Sequence, residues 1–373
     1  MRFDQLTFTR FIAAMAVLVF HFGRSAGMLS LPYFGRLLEY ANSLLSFFFV
    51  LTGFVMIISI ARFGEMPKKI PAKLFWLNRF FRIYPLHILA LALTIFLQLM
   101  VERVNPAANI PPLTPTKVLL STFLLHAWYP PYALIYNYVS WTLCVEVMLT
   151  LLAPALYGWM VRQSTPVLMR NIAIIWLGSI GIHYGCLRAG MPIDWGFYFP
   201  VFHLPEFIVG MGGGWLIVRH FEALKATAWR VYLTSYVLGV LMLVMMLFSD
   251  SFAFKNSILF APAFTVILLG ACLSDNWLMR LFKTRPLRYL GEISYGLFIL
   301  QVPISIVMFY FLYFVVTLPY KIVCVLFLIV LIAVSAAVYE WMEKPIRNFI
   351  KAQFRKKMAQ MPAAEPVTVK ATA

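Results

Sequence analysis

The sequence predicts an all-α integral membrane protein of about ten transmembrane helices, with both termini in the cytoplasm. Of its 373 residues, 62% are hydrophobic and only 12% are charged, which is too little charge to cover a soluble domain of this size. Apolar segments of the roughly 17–25 residues that cross a bilayer recur along the chain. Ten can be drawn, at residues 6–23, 41–61, 84–101, 139–161, 171–187, 196–218, 231–248, 256–273, 289–315 and 320–340.

The distribution of the basic residues sets the predicted topology. With the N-terminus in the cytoplasm, 23 of the 31 lysines and arginines lie inside and 7 lie outside, while Arg10 lies within the membrane. This asymmetry follows the positive-inside rule. We therefore interpret the net charge of +17 as topological and expect no nucleic-acid partner. Its expected partners are the lipid bilayer, with its anionic head groups, and a phosphorylated ligand.

The two ends of the chain differ in composition. Residues 6–22 are preceded by neither the basic head nor the small-residue cleavage site of a signal peptide, so we expect a retained first span. After residue 349 the sequence becomes polar and rich in Ala, Pro and Lys, which predicts a transmembrane domain over residues 1–350 and a disordered cytoplasmic tail over 351–373. The four cysteines lie within predicted spans without C-x-x-C spacing, so no disulfide framework or metal site is expected.

The first span carries two ionisable residues, Arg10 and His21. Their separation of eleven residues corresponds to about 16 Å of helical rise and about 20° of rotation, so both project from one face. Ionisable groups within a bilayer are costly and usually face a protein interior or a cavity. The pattern therefore predicts that this face lines a functional site, although Arg10 alone is also typical of a snorkelling interfacial residue.

Two acidic residues, Glu146 and Glu206, lie well inside predicted spans. Glu146 is expected about 10 Å below the outer surface, at the depth of His21. A carboxylate beside an imidazole would fix its tautomer, as a general base requires. The alternative is a hydrogen bond between two helices with no part in catalysis.

Two arginines open the predicted third helix, within the segment Asn-Arg-Phe-Phe-Arg-Ile-Tyr-Pro at residues 78–85. Arg79 and Arg82 could bind a polyphosphate in bidentate fashion. Ordinary positive-inside anchoring is the competing interpretation, and it explains one arginine better than a pair.

Glycines cluster in the sixth predicted span, at positions 210 and 212–214. Gly210 and Gly214 have small-xxx-small spacing, which predicts close helix packing rather than a phosphate loop. The sequence contains no Walker motif, H-E-x-x-H or Gly-x-Ser-x-Gly, so ATPase, zinc protease and serine hydrolase activities lack support.

The longest connection, residues 102–138, is predicted to be an outer loop with one short helix over 116–126. Its aromatic residues, from Trp128 to Tyr138, form either an interfacial belt or a lip on which sugars stack.

Together these segments resemble the membrane-bound acyltransferase-3 family, which includes bacterial O-antigen and exopolysaccharide O-acetyltransferases. Six elements occur in the family's order over about residues 4–349. They are Arg-x10-His at 10–21, Phe-Phe-Phe-Val-Leu-Thr-Gly-Phe at 47–54, Arg-x-x-Arg-Ile-Tyr-Pro at 79–85, Ser-Trp-Thr-Leu-x-x-Glu at 140–146, Leu-Gly-Glu-Ile-Ser-Tyr-Gly-Leu at 290–297 and Glu-Lys-Pro at 343–345. The chain departs from the pattern at Thr52, where serine is usual, and at Gln301, where histidine is common. Glutamine cannot take up a proton.

The resemblance implies a ten-helix O-acyltransferase of the bacterial inner membrane, with no permanently bound cofactor. The donor would be acetyl-coenzyme A or another acyl-coenzyme A, and the acceptor a hydroxyl of a cell-surface or lipid-linked carbohydrate. By position, the catalytic residues would be His21, as the base, and Glu146, which would orient His21 or share its proton. Arg10 would bind or orient the donor, and Arg79 and Arg82 would support its binding. Direct transfer and an acyl-histidine intermediate both fit this assignment.

Two other functions are compatible with the topology. A transporter or flippase of a lipid-linked saccharide would use the intramembrane ionisable residues as its substrate path, but the sequence has no clear inverted repeat. A structural scaffold would explain the helices and leave the aligned ionisable residues unexplained.

Overall fold

The computed structural model describes residues 3–23, 43–61, 72–106, 110–248 and 257–359. Within these ranges the chain is helical and contains no strand, as predicted. The first seven α-helices are α1 Gln5–Gly23, α2 Ser43–Ala61, α3 Ala72–Val104, α4 Pro115–Thr122, α5 Trp141–Met160, α6 Thr165–Arg188 and α7 Ile193–Tyr198. The others are α8 Leu204–Ala226, α9 Ala228–Phe248, α10 Ala261–Leu273, α11 Trp277–Phe282, α12 Arg285–Met308, α13 Tyr320–Val338 and α14 Lys344–Ala359.

Nine helical segments of the described chain are long and apolar enough to cross a membrane. They correspond to nine of the ten predicted spans. The remaining prediction, residues 256–273, corresponds to the shorter apolar segment Ile258–Leu273, which contains α10. The all-α, multi-span fold class is therefore confirmed.

The centre of the bundle is the contact between α2 and α8, where the two backbones approach closely. A Cβ added at Gly210 would collide with the carbonyl of Val50, and one added at Gly53 would collide with the carbonyl of Phe207. Only glycine allows this separation, which confirms that the cluster in α8 serves close helix packing. α6 and α9 lie at the periphery and bury few of their side chains.

A second close contact joins α1 to α12, where a Cβ on Gly291 would collide with the carbonyl of Thr7. α12 also packs against α3 and α13. α1 and α3, which carries the arginine motif, therefore pack against the same helix, α12.

The α3 helix starts earlier than the sequence indicated. It runs over Ala72–Val104, so Arg79 and Arg82 lie within the helix and do not open it. The hydropathy signal begins only at residue 84 because these two arginines interrupt it. Pro85 is accommodated inside the helix, as is common in transmembrane segments.

The C-terminal helix also extends further than expected. α13 continues through a π-helical turn at Tyr339–Glu343 into α14, which ends at Ala359. Residues 351–359 of the predicted disordered tail are therefore helical, in a segment that packs beside α3. Residues 360–373 lie outside the described ranges.

The outer loop contains the predicted short helix, as α4, followed by three 3-10 turns. Its aromatic residues divide into two groups, since Trp128 and Tyr129 are exposed while Tyr136 is buried. His126 is fully buried, with Nε2 3.1 Å from Ser140 Oγ and Nδ1 3.5 Å from Cys144 Sγ. These contacts fasten the loop to the start of α5.

We predict that Gly210→Ala lowers the thermal midpoint of the purified protein because the new methyl group must separate α2 from α8. Overpacking of this kind costs about 1–3 kcal/mol. Gly239→Ala is the matched control, since a Cβ at Gly239 meets no atom within 4 Å and alanine favours a helix by roughly 0.5–1 kcal/mol. Equal midpoints for the two variants would contradict the packing argument.

We also predict an acid-sensitive contribution from His126. Burial, reinforced by the nearby His87, lowers the pKa of His126 from 6.5 to about 4. The folded state therefore favours the neutral ring, and this contribution is present above pH 6.5 and is lost as the pH falls toward 4. The loss is at most about 3 kcal/mol.

The measurement compares thermal midpoints of the wild type and His126→Gln between pH 7 and 4.5. The gap between them should narrow as the pH falls, because only the wild type gains a buried charge. A gap that stays constant with pH would show that His126 does not titrate in this range.

Candidate active site

A cavity of about 830 Å³ lies among α1, α2, α3, α5, α12 and α14. It is bordered by the ends of α1, α2, α3 and α12 on the side that the basic residues predict to be cytoplasmic. Its lining includes five arginines and four acidic residues. They are Arg10, Arg79, Arg82, Arg288 and Arg347, with Asp4, Glu146, Glu292 and Glu343.

The three arginines predicted from the sequence meet in this cavity. Arg10 projects from α1, while Arg79 and Arg82 are three residues apart on α3 and so lie on neighbouring positions of one face. We call Arg10, Arg79 and Arg82 the arginine triad. Arg79 Nη1 lies 3.9 Å from Glu146 Oε1, whereas neither Arg10 nor Arg82 forms a hydrogen bond or salt bridge within the described part of the chain.

The positive charge of the triad exceeds that of the carboxylate paired with it. Arg79 is 13% exposed and Glu146 is 24% exposed, so water screens these charges less than it would at a surface. Glu343 also acts electrostatically on Arg82, and the five arginines and four acidic residues of the whole lining leave a net charge of about +1. Such an arrangement favours an anionic ligand with several oxygens, and the planar guanidinium fork suits phosphate.

Contacts between helices hold the triad in place. The Tyr295 hydroxyl donates to the carbonyl of Ile83 at 2.7 Å, which joins α12 to α3 beside Arg82. Together with the Gly291–Thr7 contact between α12 and α1, this bond fixes the separation of the two helices that carry the triad.

His21 lines a different and smaller cavity, of about 370 Å³, at the opposite end of α1. Its ring centroid lies 4.8 Å from that of Tyr138 and 5.3 Å from that of Phe20. Ser305, Tyr310 and Tyr320 also line this cavity. The surroundings of His21 are therefore aromatic with several hydroxyl groups, which is a composition suited to a polar organic ligand such as a sugar.

The structure corrects the predicted pairing of His21 with Glu146. Glu146 lines the larger cavity and faces Arg79, and no hydrogen bond or salt bridge joins it to His21. His21 instead lies at the level of Tyr138, eight residues earlier, which is about 12 Å along a helix axis. His21 occupies the last turn of α1, and its ring contact Tyr138 precedes the first residue of α5, so the shared depth expected for His21 and Glu146 is not observed.

Glu206, the other acidic residue within a span, belongs to a buried network that the sequence did not reveal. The Ser46 hydroxyl donates to Glu206 Oε1 at 2.8 Å, and His203 Nδ1 lies 3.1 Å from Glu206 Oε2. His203 Nε2 donates to the carbonyl of Phe197 at 2.9 Å. The i, i+3 spacing of His203 and Glu206 was the available signal. The network joins the outer ends of α2 and α8.

Gln301 lies between the levels of the two cavities, since Phe298 lines the larger and Ser305 the smaller. Its amide donates to the carbonyl of Phe298 at 2.8 Å, and the side chain is fully buried. The residue therefore caps a turn of α12 locally and does not line either cavity.

Sequence analysis also missed the contribution of the C-terminal helix to the larger cavity. Arg347 lies four residues after Glu343 and lines the same wall. Its position in the polar segment after the last span hid it, although the Glu-Lys-Pro element directly before it was a usable signal.

Comparison with known proteins gives one match. A family model described as an acyltransferase domain matches residues 3–338, which is nearly the whole chain. The match contains the arginine triad, Glu146 and His21, and it ends before Glu343 and Arg347. No curated protein and no solved structure matches the chain.

We predict that Glu146→Gln destabilises the ligand-free protein because it removes the carboxylate that faces the triad. Breaking a fully buried pair costs about 3–5 kcal/mol, and the partial exposure of Glu146 reduces the expected cost to roughly 1–2 kcal/mol. A saturating polyanion such as pyrophosphate should raise the thermal midpoint more in the variant than in the wild type.

The matched control is Glu340→Gln, which removes a carboxylate paired with Lys344 at 2.5 Å outside the cavity lining. Its midpoint should change little, since exposed pairs contribute about 0–1 kcal/mol. If Glu146→Gln behaves like this control and responds equally to pyrophosphate, the triad does not carry excess charge.

Proposed function

Because the chain belongs to the membrane acyltransferase-3 family, we propose that it transfers an acyl group from an acyl-coenzyme A to a hydroxyl of a carbohydrate. The simplest acyl group is acetyl. The donor enters from the cytoplasmic side, and the acceptor is a cell-surface or lipid-linked glycan on the outer side. The protein acts in this proposal as a multi-pass enzyme of a bacterial inner membrane.

The observation that carries the proposal is the convergence of Arg10, Arg79 and Arg82 on one cavity. The diphosphate of coenzyme A brings two negative charges, which the guanidinium groups of the triad would neutralise. Bidentate guanidinium–phosphate bonds would anchor the donor at this level. Glu146 therefore takes a different part from the one first expected, since it positions Arg79 and does not touch the base.

His21 is the proposed general base at the outer end of the path. It takes the proton of the acceptor hydroxyl, whose oxygen attacks the thioester carbonyl. The new C–O ester bond forms as the C–S bond breaks, and the coenzyme A thiolate leaves and takes up a proton. Tyr138, against the His21 ring, offers the acceptor an aromatic face on which a sugar can stack.

The distance between the two cavities is compatible with binding the donor phosphates in the larger cavity and placing the base in the smaller one. Arg10 and His21 are eleven residues apart on α1, about 16 Å of rise, which is comparable to the extended pantetheine arm of the donor. Tyr138 lines the smaller cavity and Thr142 the larger one, and four residues correspond to about 6 Å along a helix axis. The thioester would cross at this level.

We predict that His21→Ala abolishes transfer and leaves donor binding within about threefold of the wild type, because the ring lies outside the donor cavity. Loss of a general base lowers the rate by about 10²–10⁴-fold. The measurements are acyl transfer by the purified protein in nanodiscs and mass spectrometry of surface glycans from the host.

His220→Ala is the matched control, since His220 bonds Thr165 at an exposed position far along the chain from both cavities; its activity should be unchanged. Normal glycan acylation by correctly inserted His21→Ala protein would refute the catalytic assignment. Absence of any acyl-coenzyme A binding by the wild type would refute the proposed function itself.

A further inference from the structure

Arg347 stands apart from the other cavity arginines by its location and its partners. It lies on α14, the helix that follows the last span, and its Nη2 donates to the Tyr339 hydroxyl at 2.6 Å. The guanidinium carbon lies 5.3 Å from the centroid of the Tyr339 ring. The Tyr339 hydroxyl in turn donates to Glu292 through a short hydrogen bond. Arg347 is therefore held in a fixed orientation in the cavity wall.

The hydrogen-bonding capacity of Arg347 is only partly used. Its Nε is buried and has no hydrogen-bond partner within the described residues. Glu343, one turn earlier, acts electrostatically on Arg347 but forms no salt bridge with it there, and Glu343 Oε1 is also buried without a partner. An arginine has five N–H donors, and among the described residues only Nη2 of Arg347 donates a hydrogen bond, so the donors of Nη1 remain for a ligand in the cavity.

The segment that presents Arg347 has an unusual backbone. The five residues Tyr339–Glu343 form a π-helical turn between α13 and α14. π-helical turns are rare and occur frequently at functional sites. Here the turn places the Tyr339 hydroxyl between Glu292 and Arg347, so that the last span and α12 jointly support the guanidinium.

The remaining arginine of the cavity is already neutralised, since Arg288 Nη1 lies 3.4 Å from Asp4 Oδ2. A coenzyme A donor carries about four negative charges near pH 7, two on its diphosphate and up to two on its 3′-phosphate. The three guanidinium groups of the triad are assigned to the diphosphate. The phosphomonoester then requires another cation, and outside the triad Arg347 is the cavity arginine that forms no salt bridge within the described residues.

We propose that Arg347 binds the 3′-phosphomonoester of the acyl-coenzyme A donor and thereby distinguishes this donor from its dephosphorylated form. The assignment rests on the proposed function and adds a second phosphate site to it. Glu292 and Tyr339 act as positioning residues, because they reach the ligand only through the guanidinium of Arg347.

The test compares binding of acetyl-coenzyme A and acetyl-3′-dephospho-coenzyme A to the full-length protein in nanodiscs. The wild type should prefer the phosphorylated donor by about 10- to 100-fold, the size expected for charge-assisted hydrogen bonds to one phosphate. Arg347→Gln should reduce this preference to about twofold, because it weakens the binding of the phosphorylated donor only. Arg347→Lys should keep part of the preference, because it restores the charge without the planar fork.

Two variants serve as controls. Lys344→Gln removes a charge from the same helix at a residue that pairs with Glu340 and is not part of the cavity lining, so it should leave the preference unchanged. Arg79→Gln should weaken the binding of both donors to the same extent, because both carry the diphosphate. Thermal midpoints of all variants establish that the proteins compared are folded.

Several outcomes would overturn the assignment. Equal binding of both donors by the wild type would leave the proposed function standing and remove the 3′-phosphate site. An equal loss of affinity for both donors in Arg347→Gln would show that Arg347 has a general role in the cavity. A loss of affinity that occurs only in nanodiscs containing anionic lipid would assign the phosphate contact of Arg347 to a lipid head group. If the wild type binds neither donor, the proposed function fails together with this inference.

Discussion

Burial of like charge is the constraint on which the rest of this structure depends. Arg10, Arg79 and Arg82 share a cavity inside a membrane domain with one carboxylate, Glu146, in salt-bridge range. Such groups repel one another and lose hydration, so the ligand-free fold holds them only because the surrounding helices are packed rigidly. The same electrostatic cost becomes binding free energy once a polyanion neutralises the cavity.

The rigidity comes from backbone contacts rather than from polar pairs. α2 and α8 meet at Gly53 and Gly210, and α12 meets α1 at Gly291, each without room for a Cβ. The bond from Tyr295 to Ile83 then joins α12 to α3. These contacts hold α1 and α3 against the same helix, α12, and so set the spacing of the arginines. A membrane interior offers little hydrophobic drive between helices, which makes such close packing the main source of order.

The sequence predicted the parts of this arrangement that depend on periodicity and composition. Span positions and the close packing at Gly210 follow from them, whereas the grouping of Arg10 with Arg79 and Arg82 came from the resemblance to a known family. The pairing expected for Glu146 came from comparing its depth along α5 with the depth of His21 along α1. A shift of two turns between these two helices changes neither sequence, so the sequence does not reveal it. Arg347 was missed for a related reason, since its role depends on how α14 folds back beside α3.

The separation of Glu146 from His21 changes what the acceptor must do in the proposed reaction. A histidine paired with a carboxylate has its tautomer fixed before the substrate arrives. The His21 ring instead contacts the rings of Tyr138 and Phe20, and no carboxylate of the described residues pairs with it. Its orientation then depends on the hydroxyl groups of the smaller cavity and on the acceptor itself. In the proposed reaction the charged residues of the larger cavity therefore serve donor binding, while the base acts in an aromatic cavity where the acceptor completes the site.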